Sequence, residues 1–116
     1  MRRKPRYHYC HTWQMHFDFF IGWSWFQFQQ YCKEEFKFEI PEYTGQTGYT
    51  TMIVSMKKGT RVLIWLRERR RPSIAAHEAL HGVNFVFDRA GYRVLGSNDE
   101  AQAYFLTEIM QAMGYK

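Results

Sequence analysis

From Tyr7 to Ile21 the chain is aromatic and β-prone, and Met15, Phe17, Phe19 and Ile21 alternate with His16, Asp18 and Phe20. A period of two predicts a strand with one buried face. Gly22 breaks the pattern, and Ser24 is placed to cap a helix. Trp25, Phe28, Tyr31 or Cys32, then Glu35 and Phe36 recur at helical spacing, so a helix is expected to about Lys37. Pro41 to Gly48 reads as a loop. Two β-prone runs follow, Tyr49 to Met56 and Arg61 to Leu66, joined by the hairpin turn Lys57-Lys58-Gly59-Thr60. Val62 to Leu66 is apolar throughout, which predicts a strand covered on both faces.

Beyond Pro72 the period becomes helical again. Ser73 is a candidate N-cap, and Ala76, Leu80, Val83 and Phe87 form an apolar stripe. That helix is expected to run from Ser73 to about Arg89 and to stop at Gly91. Gly91 to Ser97 reads as a loop, and Asn98 or Asp99 can cap a last helix to about Met113. Its apolar stripe is Ala101, Phe105, Ile109 and Ala112 or Met113, with Glu100 and Tyr104 on a neighbouring face. The expected fold is α+β: a small, mostly antiparallel sheet of three to four strands, one helix after the first strand, and two C-terminal helices.

Composition adds limits. A chain of 116 residues is expected to form one domain, residues 1–116, and 46% hydrophobic with 19% aromatic residues is enough for a real core. The net charge is +5. Half of the sixteen basic residues fall in two runs: Arg2, Arg3, Lys4 and Arg6, then Arg67, Arg69, Arg70 and Arg71. The expectation is a mobile basic tail over residues 1–6 and a solvated loop at Arg67 to Arg71; contact with nucleic acid is the sharper alternative. Cys10 and Cys32 form no disulfide framework or zinc motif and read as free thiols of a reducing compartment. With no signal peptide and no apolar stretch of ~20 residues, a cytoplasmic location is expected. His8, His11 and His16 lack the pairing of a metal site and read as surface or strand-face residues.

The chemistry-bearing stretch lies on the Ser73 helix: His77-Glu78-Ala79-Leu80-His81. Residues four apart on a helix stand one above the other, so His77 and His81 can direct two imidazoles at one metal ion. Glu78 can reach a water held by that metal, which is the arrangement of a zinc hydrolase. A third ligand is expected among Asp88, Asp99, Glu100 and Glu108. Asp88 lies two turns beyond His81, ~10 Å along the axis. Asp99 suits a cap, Glu108 is two turns further on, and Glu100 stands where a returning helix can face the histidines.

His77-Glu78-x-x-His81 followed by Glu100, 100 − 81 = 19 positions later, resembles the gluzincin branch of the zincin metallopeptidases. The wider pattern is similar to small phage-type zinc peptidases. It includes Gly22-Trp23 after the first strand, Ile64-Trp65 before the motif, Asn84-Phe85 after it, and Asp99 to Tyr104. The resemblance implies zinc held by His77, His81 and Glu100, with Glu78 as general base and a peptide or protein as substrate. It also implies an extended peptide added along the strand Arg61 to Leu66, and host cytoplasm as the setting of a phage-encoded protein. Position 104, where many gluzincins carry an aspartate that orients a ligand histidine, is here Tyr104, whose hydroxyl can donate to a carbonyl or transition-state oxygen. The separate domain that supplies gluzincins with a substrate-binding histidine is expected to be missing. The expected function is zinc-dependent hydrolysis of a peptide bond. Its rivals are a zincin scaffold that binds without turnover, in phage assembly or host interaction, and a basic nucleic-acid-binding protein.

Overall fold

A computed structural model describes residues 3–94 and 99–115. In chain order the elements are β1 (Arg6–Cys10), β2 (Met15–Ile21), α1 (Trp25–Phe36), β3 (Gly48–Ser55), β4 (Gly59–Leu66), α2 (Pro72–Ala90) and α3 (Asp99–Ala112). The four strands form one mixed sheet in the order β1-β2-β4-β3. β1 with β2 and β3 with β4 pair antiparallel; β2 and β4 pair parallel, from His16 opposite Arg61 to Ile21 opposite Leu66. The class is α+β, with two of three pairings antiparallel.

The sheet is covered on both sides. On one face Phe20, Leu63 and Trp65 pack against Trp25, Phe28, Cys32 and Phe36 of α1. On the other, Phe17, Phe19, Val62, Ile64 and Leu66 meet Ala79, Val83 and Phe87 of α2 and Phe105 and Ile109 of α3. Val62 to Leu66 is buried on both faces, as its unbroken apolar run predicts.

Several local signals act as read. Ser24 caps α1 through a full capping box: its hydroxyl accepts from Gln27 N while the Gln27 side chain accepts from Ser24 N. Gly91 ends α2 in the left-handed region at φ 71°. Phe105, Ile109 and Met113 are buried as the stripe of α3.

Others do not. The stretch 7–21 is two strands, not one, because the chain reverses over His11 to Gln14, with Gln14 at φ 52°. β2 is buried on both faces: Asp18, on the expected polar side, is 3% exposed because Arg61 meets it there at 2.6 and 3.0 Å. Ser73 is not the cap of α2; Arg71 occupies that position without a side-chain bond and Pro72 starts the helix. The buried face of α2 is Ala75, Glu78, Ala79, Gly82, Val83, Val86 and Phe87, rotated from the expected stripe so that Leu80 is 37% exposed. Its N-terminal tail is likewise not all free: Arg6 begins β1, and the Arg3 guanidinium stacks 4.8 Å over Trp23. Arg69 does not simply solvate a loop. It donates to Met113 O at 3.0 Å while the Tyr115 hydroxyl donates to Arg69 O at 2.9 Å, tying the loop to the end of α3.

Both cysteines are free, Cys10 on the α2/α3 face and Cys32 on the α1 face. Among the described residues no helix is long and apolar enough to cross a membrane.

Candidate metal centre

Gly82 sets the depth at which α2 lies. A side-chain carbon there would stand 3.2 Å from Val62 Cγ1 and 3.4 Å from both Ile64 Cδ1 and Phe17 Cε2. Its absence lets the helix seat closely on β2 and β4, which accounts for a residue of poor helix propensity in mid-helix. With the small residues Ala75, Ala79 and Gly82 against the sheet, His77 and His81 fall on the exposed side of α2.

The two histidines converge as the spacing of four predicts. Their Nε2 atoms lie 3.0 Å apart and the rings meet edge to face, with centroids 4.6 Å apart. Two nitrogens bound to one tetrahedral zinc at ~2.0–2.1 Å stand roughly 3.3 Å apart. The same nitrogen of each ring points inward; the two stand at hydrogen-bond distance, and a slight parting would let them serve as two ligands of one zinc ion.

Glu78, about 100° around the helix from His77, turns into the gap between α2 and β3. It is 7% exposed. Thr50 of β3 lies 2.7 Å from its Oε1 and 3.0 Å from its backbone carbonyl, and the hydroxyl donates across that pair. Gly48 makes room for it: a side-chain carbon at that position would stand 2.7 Å from Glu78 Cγ and 2.9 Å from Oε2. Thr50 and Gly48 escape a sequence reading because they lie 28 and 30 positions from Glu78 (78 − 50 and 78 − 48), on a strand whose neighbours only the sheet order reveals.

The remaining predicted residues stand apart from this pair. Gln102 of α3 donates to Asn84 Oδ1 of α2 at 2.8 Å, which defines the side of α3 that meets α2. Glu100 precedes Gln102 by two positions, roughly 200° around the helix, and is exposed. Tyr104 is 72% exposed. Among the described residues no three His, Cys, Asp or Glu side chains gather as a group able to hold a metal ion. Asp88 is exposed, and Glu108 meets His8 Nε2 at 2.6 Å on the far side of α3. His16 accepts from or donates to the Tyr7 hydroxyl at 2.6 Å, and burial, then the nearby Arg61 charge, lowers its pKa. Neither thiol is activated: burial pushes Cys10 up to about 11 and raises Cys32 further still.

The strand expected to receive a peptide, β4, is interior, its backbone bonded to β2 on one side and β3 on the other. The outer strand beside the motif helix is β3, which also carries Thr50 and Gly48. No protein-family model, curated protein or solved structure matches the chain.

Proposed function

We propose that the chain is a zinc-dependent metallopeptidase built on His77, Glu78 and His81. The observation that carries this reading is the 3.0 Å convergence of the two Nε2 atoms next to a carboxylate held in a buried slot. His77 and His81 would hold the metal; Glu100, the third ligand that the gluzincin resemblance implies, stands apart from the pair and would complete the set only by turning toward it. Zinc bound there supplies Lewis acidity, lowering the pKa of water towards ~7 and polarising a carbonyl.

The chain's own groups do the rest. Glu78 takes the proton of the attacking water and delivers it to the leaving amine. Thr50 fixes the orientation of that carboxylate through the 2.7 Å bond, and Gly48 keeps its slot open. β3 has no strand on its outer side among the described residues. An extended peptide can add there through backbone hydrogen bonds, taking the role expected of β4.

A second reading is a zinc-binding scaffold without turnover. It is favoured by the lack, among the described residues, of a third His, Cys, Asp or Glu side chain gathered with the pair.

One experiment separates these. Elemental analysis after zinc loading should find about one zinc per chain. His81→Ala should lose it and Glu100→Gln should weaken it. Glu78→Gln should keep zinc and cut peptide cleavage on the order of 10²- to 10⁴-fold. A wild-type chain that takes up no zinc at neutral pH sinks both readings. Stoichiometric zinc with no cleavage of any library peptide leaves the scaffold.

A further inference from the structure

One turn before Glu78 on α2, Ile74 lines a cavity of about 290 Å³ together with Thr47, Arg67, Glu68 and Arg71. This cavity and the Glu78 slot share a wall. The space above Gly48 is bounded by Glu78 Cγ at 2.7 Å and by Ile74 Cγ2 at 3.0 Å. Arg67 follows β4 directly, and its backbone N–H donates to Thr47 O at 3.0 Å, so the sheet fixes where its side chain starts. Its guanidinium has no partner among the described residues. Arg71 is already paired, with Glu68 at 3.1 Å. Two arginines and one glutamate, all three exposed, therefore line the cavity, and the excess positive charge is that of Arg67.

We propose that this cavity is a side-chain subsite that selects Asp or Glu in a peptide substrate, with Arg67 as the recognising group. The inference rests on the metallopeptidase reading for its substrate class. A planar guanidinium with free donors matches a carboxylate in charge and in two-point geometry. Ile74 and Glu78 are four residues apart on the helix, roughly 6 Å along its axis. An extended peptide advances ~3.3 Å per residue, so the selected side chain lies about two residues from the bond that is cut.

The test is binding and cleavage of fluorescent decapeptides differing only by Asp or Asn at each position in turn, with zinc-loaded wild type, Arg67→Gln and Arg70→Gln. Arg70 is exposed, as Arg67 is, and lies outside the cavity lining. The expected result is a preference of about fivefold for Asp at one position, the scale of a partly exposed ion pair. It should disappear in Arg67→Gln and persist in Arg70→Gln. Equal binding of the Asp and Asn peptides overturns the subsite. So does a preference that survives Arg67→Gln, or one that falls equally in both variants as general attraction to a basic surface would. Arg67-dependent selection without any cleavage keeps the subsite and removes the peptidase.

Discussion

Among the described residues each face of the sheet buries one carboxylate, and the two are held in opposite ways. On the α1 side, Asp18 is 3% exposed and receives two bonds from Arg61, itself 9% exposed, with the guanidinium also 5.2 Å over the Phe36 ring. On the α2 side, Glu78 is 7% exposed and its carboxylate is given one hydroxyl, that of Thr50. A buried charge needs a counter-charge and satisfied hydrogen bonds to be tolerated. Asp18 has both, and its place in the molecule is explained by the ion pair alone. Glu78 has a neutral donor and stands next to two converging imidazoles, so packing does not account for a carboxylate there. The contrast distinguishes a carboxylate that completes a core from one that a core has been opened to admit.

Matched isosteric changes test that difference. Asp18→Asn strands Arg61 as a buried unpaired cation and should cost about 3–5 kcal/mol, read as a lower urea midpoint at unchanged slope. Pairing it with Arg61→Met should recover most of the loss, because an apolar replacement of both partners leaves no orphaned charge. Thr50→Val comes next: it removes the hydroxyl that the Glu78 carboxylate accepts from and should cost about 1–3 kcal/mol. The smallest effect is expected for Glu78→Gln. The amide oxygen still accepts from Thr50, and no cation loses its partner, so stability should stay within about 1 kcal/mol of wild type. If Glu78→Gln destabilised the fold as much as Asp18→Asn, the two carboxylates would be equivalent structural groups and the contrast would fail.

What the chain reveals in advance follows the range of the signal. Ser24 and Gln27 carry the start of α1 three positions apart, and Gly91 carries the end of α2 at one position. His77 and His81 are legible because one helical turn brings them together wherever the helix goes. The reversal at His11 to Gln14 is hidden because no glycine or proline marks it. Ser73 is the better capping residue than Arg71, yet Pro72 suits the first helical position and fixes the start one residue earlier. The rotated face of α2 follows from Gly82: once the backbone sits against β2 and β4 there, Ala75 and Ala79 must turn inward and Leu80 outward. That the outer strand is β3, and that Thr50 and Gly48 enclose Glu78, depends on pairings between distant segments that no local pattern encodes.

The parallel pairing of β2 with β4 has a consequence for how the chain is made. His16 meets Arg61 across 61 − 16 = 45 positions, and closing such a loop costs on the order of 3 kcal/mol before any contact repays it. During synthesis β2 therefore emerges long before its central neighbour exists. Phe17 and Phe19, each at most 1% exposed in the finished domain, face α2 and α3 and must wait uncovered until β4 and those helices arrive. Among the described strands β1 alone can pair with them in that interval, so the nascent aromatic segment is exposed to aggregation until β4 is made.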